Sequence, residues 1–475
     1  RSLLVFSLST LSTLLLSLMN RAVRAVRGQT ARAVPRAKPV QPFSASRWRR
    51  PILQRPVVSG SVPSVAHFST GDVSATAAAN AVPLTDNASS LHPVPLAVGE
   101  SYRGFLLQKR EFVADYAADC LFFVHEKTGA EIMSVLTIDE NKTFGIVFKT
   151  PPDNSNGVAH IMEHSVLCGS KKYPLKEPFV ELLKGSLNTF LNAFTYPDRT
   201  CYPVASCNTA DFYNLIDVYM DAVFFPRAIS DPNVLAQEGW HYELNEGSDE
   251  LIYKGVVFNE MKGVYSNPDS VQARDTQQAL FPDNAYGLDS GGDPRCIPHL
   301  DFDYFQSYHA QYYHPSNSRI WFYGNDEPMK RLDILGEYLE QFEKIPIVAS
   351  VMPQPKWDTP RKKTFHFAAS DHAAEDDATT NAKKGYMAVS WLLTEDKATA
   401  EEELGLGFLN YLLMGTSSST LRKALMDSGL GSSVIGHGMD HQLLQATFSA
   451  GLKDVAPEDA EKVEALIMDV LNEVA

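Results

Sequence analysis

TFGIVFKTPPDNSNGVAHIMEHSVLCGS, residues 143–170, joins a strand pattern to a helical stretch across one polar loop. Its first eight residues are rich in β-branched and aromatic side chains, which favour a strand. The loop PPDNSNG separates this strand from a helical stretch that contains two histidines and a glutamate. A strand followed closely by a helix predicts a mixed architecture.

The flanking segments extend this mixed pattern. Two further strands are predicted upstream, at 120–127 and 131–139, with TGA and ENK as the short turns. Downstream, 177–194 begins as a helix and passes into an extended segment, and 209–226 has the apolar spacing of an amphipathic helix that ends at a proline. Antiparallel strands with long helices on one side indicate the α+β fold class.

A second α+β unit is predicted after a proline-rich linker. Residues 346–360 are rich in proline and have no helical periodicity, so the linker is placed at 346–366, between a first domain at 92–345 and a second at 367–475. The second unit should contain a strand, two helices, another strand and a final amphipathic helix. No closing strand or cap follows that helix, so we expect this unit to be incomplete and the 475-residue chain alone to hydrolyse peptides poorly.

The amino-terminal region has the composition of a targeting segment. Residues 1–71 contain 11 Lys+Arg and no Asp or Glu, with frequent Ser and with arginines among Ala and Val. This pattern is typical of a mitochondrial or plastid transit peptide, and a nucleic-acid-binding arm is the alternative. Residues 1–18 are apolar and Ser-rich, and are interpreted as untranslated or signal-like. No stretch is apolar enough to predict membrane insertion.

The rest of the chain is strongly acidic. The whole chain has a formal net charge of −15, but residues 72–475 hold 31 Lys+Arg and 57 Asp+Glu, a net of −26. This excess of carboxylates either keeps a large surface soluble or lines a cavity that attracts cationic ligands. Composition alone does not distinguish these two interpretations.

The motif HIMEH, residues 160–164, provides the side chains of a zinc site. Residues i and i+4 of a helix lie about 40° apart around its axis, so His160 and His164 project from one face. Two neutral imidazoles in this arrangement can bind one zinc ion and leave room for a third ligand and a water. Glu163 can reach that water as a general base without binding the metal. HxxEH is an inverted zinc-protease signature, and two solvated histidines on a helix surface are the alternative.

A third metal ligand has to come from elsewhere in the chain. Ninety-six residues after His164, the run YKGVVFNEMKGVYS places Glu260 among apolar residues that are expected to be helical. A carboxylate in such surroundings needs a partner. Either a metal or a salt bridge with Lys254 or Lys262 would supply one, and spacing alone does not choose between them.

HxxEH with a downstream glutamate resembles the inverted-motif zinc peptidases, the pitrilysin and insulysin family. Further stretches carry the resemblance: SKKYPLKEPFVELLKGSLNTFLNAFTYPDRTCYPVAS, QEGWHYEL, GVVFNEMKGVYSNPD, GGDPRCIPHL and YHAQYYHPSNS. The similarity covers about residues 95–475 and is densest across 155–325. It implies that the two histidines of the motif and Glu260 bind one zinc ion per chain, and that Glu163 is the general base.

The resemblance also implies how a substrate is held. In this family an extended peptide adds as a strand to a sheet edge beside the zinc, and main-chain hydrogen bonds give tolerance of sequence. The matching residues here are Asn192, Ala193, Phe194 and Thr195. Four others match an apolar pocket for the residue just after the cleaved bond, namely Leu167, Phe179, Val180 and Leu183. From the residues alone, simple core is the alternative interpretation of these four.

Within the family, the quoted stretches are most similar to organellar enzymes that degrade cleaved targeting peptides in a closed chamber made of two similar halves. The resemblance therefore implies a zinc metalloendopeptidase for transit presequences and other short, unstructured, basic peptides, located in the mitochondrial matrix, the plastid stroma or both. It implies a monomer when full length, with no nucleic acid as a partner and no membrane insertion. The alternatives are a processing-peptidase-type subunit of the same family and a catalytically inactive structural relative.

Overall fold

The computed structural model describes residues 2–5, 91–176, 178–245, 247–367 and 385–475. Apart from residues 2–5, the predicted targeting segment lies outside these ranges. Within them the chain forms two larger sheets and two two-stranded ones, with helices packed against the larger sheets.

The strands are numbered along the described parts of the chain, and the longest have nine residues. Their bounds are β1 (Ser2–Val5), β2 (Ser101–Tyr102), β3 (Phe105–Val113), β4 (Ala118–His125), β5 (Glu131–Leu136), β6 (Lys142–Lys149), β7 (Asn188–Leu191), β8 (Phe194–Thr195), β9 (Arg199–Ser206), β10 (His241–Leu244), β11 (Leu251–Lys254), β12 (Ser318–Gly324), β13 (Arg361–Thr364), β14 (Gly385–Leu392), β15 (Ser433–Asp440) and β16 (Thr447–Val455).

The α-helices of the described ranges have 7 to 16 residues. Their bounds are α1 (Val158–Val166), α2 (Pro178–Gly185), α3 (Thr209–Phe224), α4 (Pro232–Glu238), α5 (Val256–Val264), α6 (Pro268–Leu280), α7 (Phe302–Tyr312), α8 (Pro328–Leu339), α9 (Ala400–Met414), α10 (Thr420–Asp427) and α11 (Ala460–Val474). None of these helices has both the length and the hydropathy needed to cross a membrane.

The larger sheet has nine strands. Eight of them follow the order β2-β3-β4-β5-β12-β6-β9-β7, and β8 also pairs with β9. All neighbouring pairs are antiparallel except β5 and β12, which run parallel. Alternate side chains of β4 and β6 are buried, because successive side chains of a strand point to opposite faces of the sheet. The three strands expected between 120 and 150 are therefore present.

Strand β12 comes from far along the chain and takes a central place in this sheet. β5 and β6 are consecutive in sequence, yet β12 lies between them, parallel to β5 and antiparallel to β6. Its register places Ile320 opposite both Ile132 and Ile146, so three buried isoleucines form one row across the sheet. The nine-stranded sheet is thus completed only by residues 318–324.

The smaller sheet is antiparallel, has the order β14-β16-β15, and packs against α9, α10 and α11. It has its own core, in which the side chains of Trp391, Leu421, Leu452 and Ile467 are buried. The strand, two helices, strand and final helix expected after the linker are all present, and β15 is an additional strand. The sequence limits of the two domains remain predictions.

The segment predicted as a linker is partly a strand. Residues 346–360 contain no helix or strand, as expected. β13 nevertheless lies inside the predicted 346–366 linker and pairs antiparallel with β1. Its sequence RKKT has no apolar alternation, and the strand depends on a partner at residues 2–5, far away in the sequence, so local pattern could not predict it.

A buried histidine links the stability of the larger unit to pH. His309 on α7 is 5% exposed, and its Nε2 donates a hydrogen bond to the carbonyl oxygen of Val223 at 2.9 Å. Burial lowers the pKa of His309 from 6.5 to about 4. The unfolded chain therefore binds this proton more readily, and stability that is fully present above pH 6.5 is lost as the pH falls toward 4.

We expect the titration of His309 alone to lower the free energy of unfolding by about 2–3 kcal/mol when the pH falls from neutral to about 4.5. His309→Phe should be less stable at neutral pH, since the carbonyl of Val223 loses its donor, but its stability should depend less on pH in urea unfolding. His299→Gln is the matched control, because His299 is exposed, and should keep the parent's acid sensitivity. The same pH dependence in His309→Phe and in the parent would contradict the prediction.

Candidate metal centre

Helix α1 carries the HIMEH motif and begins at a tightly packed glycine. Gly157 precedes the helix with a φ of +72°, and a Cβ at this position would lie 2.9 Å from the Cα of Gly292. Glycine adopts this left-handed conformation without steric cost, and no other residue fits so close an approach. The amide of Val158 donates to Oδ1 of Asn156 at 3.1 Å, which satisfies one amide at the helix start. These contacts fix the helix start just before His160.

Three potential metal ligands converge from two helices. Nε2 of His160 and Nε2 of His164 each lie 3.8 Å from Oε2 of Glu260, and all three ligand atoms lie within 4.8 Å of one another. Two atoms that each coordinate zinc at about 2.0–2.2 Å are at most about 4.4 Å apart, so both 3.8 Å separations fit a shared zinc ion. Two imidazoles and one carboxylate are also a ligand set that zinc commonly takes. The donor set therefore fits zinc.

Glu260 does not form the salt bridges that were the alternative for it. It lies on α5, as expected, with Val257, Phe258 and Met261 buried on the same helix. Lys254 pairs with Glu243 at 3.0 Å, and the ammonium of Lys262 lies 5.6 Å from the ring centre of Phe258. The carboxylate of Glu260 instead faces the two histidines.

Both imidazoles are oriented by hydrogen bonds at their second nitrogen. Nδ1 of His160 donates to the carbonyl oxygen of Gly291 at 3.0 Å. Nδ1 of His164 donates to Oε2 of Glu238, at the end of α4, at 3.4 Å. With Nδ1 engaged as a donor, the neutral ring presents the lone pair of Nε2 toward Glu260. Such outer partners hold a metal-binding histidine in the correct tautomer and orientation.

Glu238 is a site residue that sequence reasoning missed. Burial would raise the pKa of this carboxyl, but hydrogen bonds from His164 and Gln237 outweigh burial and lower it. Burial likewise opposes protonation of His164, but the hydrogen bond to Glu238 and the nearby carboxylates outweigh it and raise the pKa of the imidazole. The thiol of Cys168 donates to the other carboxylate oxygen of Glu238 at 3.4 Å. The stretch QEGWHYEL drew attention to this region, but nothing in it specified a role.

Glu163 lies on α1 and is 8% exposed. Its carboxylate is not part of the cluster of ligand atoms formed by His160, His164 and Glu260. Burial, and then the negative charge of Glu163, raise the pKa of Tyr219 on α3. The hydroxyl of Tyr219 donates to the carbonyl oxygen of Asn192 at 3.2 Å. Glu163 is therefore near the segment for which a substrate-binding role was predicted.

That segment lies at an edge of the nine-stranded sheet. The amide of Asn192 donates to the carbonyl of Pro203 on β9 at 3.3 Å, while Phe194 and Thr195 form β8, which pairs with β9 on one side and packs against α1. Ala193 is buried, and its amide donates to Oδ1 of Asn192 at 3.0 Å. Within the described residues, the buried hydroxyl of Thr195 has no hydrogen-bond partner. Phe194 and Thr195 are thus beside the helix that carries the histidines, and Asn192 and Ala193 directly precede them in the chain.

The four apolar pocket candidates are not fully buried core residues. Leu167 and Phe179 are partly buried and pack against the main core, and Val180 is also partly buried. Leu183 is 51% exposed. Their role in binding a side chain of the substrate remains a prediction.

Two models of one peptidase family match this chain. Insulinase (Peptidase family M16) matches residues 150–262, which contain all three candidate ligands and Glu163. Peptidase M16 inactive domain matches residues 299–475. Between them the two models cover more than half of the chain.

Curated relatives match most of this chain but only part of their own length. Presequence protease 1, chloroplastic/mitochondrial, of Arabidopsis thaliana is 53% identical over 399 residues, which are 82% of this chain and 36% of that protein. Protein HypA of Clostridium perfringens is 44% identical over 374 residues, 78% of this chain and 38% of that protein. Presequence protease, mitochondrial, of Xenopus tropicalis is 39% identical over 386 residues, which are 80% of this chain and 37% of that protein. The chain thus spans less than two fifths of the length of these relatives.

Solved structures confirm the expected fold class. The peptidase M16 inactive domain from Pseudomonas fluorescens aligns with a TM-score of 0.56 at 16% identity, over 74% of this chain and 78% of that one. Pitrilysin aligns with a TM-score of 0.51 at 17% identity, over 81% of this chain and 38% of that one. The α+β fold is therefore pitrilysin-like. From the two family models, and from relatives 39–53% identical, we conclude that the chain belongs to peptidase family M16.

Proposed function

We propose that this chain is the zinc-binding, catalytic part of an organellar metalloendopeptidase that degrades targeting presequences and other short unstructured peptides. The observation that carries the proposal is the convergence of His160, His164 and Glu260 from two helices, with Glu163 nearby on the same helix as the histidines. The names of the Arabidopsis and Xenopus relatives support presequences as substrates, and the mitochondrion, the plastid or both as the location.

The chemistry follows from the ligand geometry. The two Nε2 atoms and a carboxylate oxygen of Glu260 would hold one zinc ion per chain, which when bound would act as a Lewis acid and lower the pKa of a water ligand. Glu163 would accept a proton from the water that attacks the scissile carbonyl, and would return it to the leaving amine. Glu238 and the carbonyl of Gly291 would keep both imidazoles in the metal-binding tautomer.

The sheet edge at 192–195 is proposed to hold the peptide. Among the described strands, β8 pairs with β9 on one side only, so its other side can accept an extended chain as an added strand. Main-chain pairing would place many different sequences against α1 in the same way. A peptidase that clears varied presequences needs this tolerance of sequence.

The charge of the chain supports basic substrates. Residues 72–475 carry a net charge of −26, and presequences are basic and contain few acids. An enclosed chamber, which the family resemblance implies, would admit only short or unfolded chains. The intact ligand set argues against a catalytically inactive structural relative, because such a protein has no need of three converging ligands and a nearby carboxylate.

We expect an unstructured basic peptide of some tens of residues to be cleaved faster than a version in which each Lys and Arg is replaced by Glu. The preference should shrink between low salt and about 0.1 M salt, where charges are screened over about 10 Å. Measuring kcat/KM for both peptides at each salt concentration tests this. Equal rates for the two peptides at low salt, or efficient cleavage within a stably folded domain, would contradict the proposed substrate class.

A further inference from the structure

The loop Asp289–Asp293, sequence DSGGD, lies between the two helices that carry the candidate ligands. Toward α1, the carbonyl oxygen of Gly291 accepts the hydrogen bond from Nδ1 of His160. Toward α5, a Cβ at Gly291 would lie 3.0 Å from Cε of Met261, the neighbour of Glu260. One short loop therefore contacts both sides of the metal centre.

The carboxylate of Asp289 joins this loop to the end of α5. The side chain is 7% exposed, and its Oδ2 accepts a short hydrogen bond from the hydroxyl of Tyr265, the residue that follows α5. Its Oδ1 accepts from the amide of Gly292 at 3.1 Å, inside the loop. A single buried carboxylate thus ties the α5 end to the loop.

The other side of the loop is fixed to the start of α1. The amide of Asp289 donates to Oγ of Ser155 at 3.1 Å, and the amide of Asp293 donates to the carbonyl oxygen of Ser155 at 2.9 Å. Gly292 has a φ of +103°, and a Cβ there would lie 2.9 Å from the Cα of Gly157. A side chain at this position would therefore push the loop away from α1.

We propose that the Asp289–Asp293 loop is a clamp that sets α5 against α1 and holds His160 in the tautomer that presents Nε2 to the metal, with Asp289 as its positioning residue. The inference rests on the proposed metal centre. His164 receives the same support from the side chain of Glu238, but His160 receives it from a main-chain carbonyl. No substitution can remove that carbonyl, so the position of the loop determines the support that His160 obtains.

Two glycine-to-alanine substitutions provide a matched test. Gly292→Ala meets the backbone of Gly157 and is strained by its positive φ, whereas a Cβ at Gly407, on α9 beside the smaller sheet, meets no described atom within 4 Å. We expect Gly292→Ala to weaken zinc affinity, measured by competition with a chelator, by about 10–100-fold, the usual effect of losing an outer-shell partner. Gly407→Ala should leave zinc affinity close to the parent's. The visible absorption of the Co²⁺-substituted protein should change for Gly292→Ala and stay close to the parent's for Gly407→Ala.

A milder variant separates positioning from folding. Tyr265→Phe keeps the ring but removes the hydrogen bond to Asp289, and its control Tyr213→Phe removes the bond of a buried tyrosine to Asp326, away from the candidate ligands. We expect Tyr265→Phe to weaken zinc affinity by about tenfold and Tyr213→Phe to lower only the stability of the metal-free protein. If the parent binds one equivalent of zinc and both Gly292→Ala and Tyr265→Phe keep its zinc affinity, the proposed clamp is wrong but the metal centre stands. A parent that binds no zinc would overturn the metal centre as well.

Discussion

Glu163→Gln is expected to lower peptide hydrolysis by about 10²–10⁴-fold while the zinc content stays at one equivalent. Glutamine has nearly the same size and still accepts a hydrogen bond, but it cannot take a proton from the attacking water. The residue lies outside the cluster of converging ligand atoms, so the ligand set is unchanged by the substitution. The measurement is kcat/KM of the full-length enzyme on an unstructured basic peptide, with metal analysis of the same sample.

The control for this variant is Glu181→Gln. The side chain of Glu181 on α2 is 66% exposed, and among the described residues its only ion pair is with Lys184. Glu181→Gln therefore removes the same charge without changing any candidate metal ligand. It should keep parent-like turnover and zinc content. Turnover of Glu163→Gln within a few-fold of the control would show that another group is the base.

His164→Ala is expected to abolish zinc binding, and with it all detectable peptidase activity. The substitution leaves two protein ligands, which seldom hold zinc, and it also removes one of the hydrogen-bond partners of the buried carboxylate of Glu238. The loss of zinc affinity should exceed the roughly 10–100-fold effect of losing an outer-shell partner. Equilibrium dialysis against buffered zinc, followed by metal analysis, measures it.

Two comparisons make the result specific. Glu260→Gln removes the ligand from the other helix and should also lose zinc, although no histidine is changed. His299→Ala replaces an exposed histidine and should keep one equivalent. Retention of stoichiometric zinc by both His164→Ala and Glu260→Gln would exclude the proposed ligand set.

The parts of the site that could be predicted are those that local pattern encodes. His160 and His164 are four residues apart on one helix, so the sequence itself brings them together. Glu260 was detectable because a carboxylate among buried apolar residues needs a partner, although its choice of partner depended on the tertiary structure. The strands around 120–150 were predicted for a similar reason, since a high content of β-branched and aromatic residues is a local property of the sequence.

The supporting groups could not be predicted, because they act only through tertiary contacts. Glu238 ends a short helix and matters only because that helix end faces Nδ1 of His164. Gly291 contributes a carbonyl group, which every residue has, so its identity contains no signal for this role. The place of β12 between two strands that are consecutive in sequence is likewise a consequence of the whole sheet.

The central place of β12 imposes an order on the folding of this chain. β5 and β6 cannot be joined into one sheet until residues 318–324 are available, and the helices that carry the histidines and Glu260 lie inside the long loop that this step closes. Pairings between distant segments form slowly, because the entropy of a long loop must be overcome first. A chain emerging from a ribosome or a translocation pore would therefore expose all four site residues well before the sheet beneath them can close. Assembly of the proposed metal centre would then be delayed until synthesis has passed residue 324.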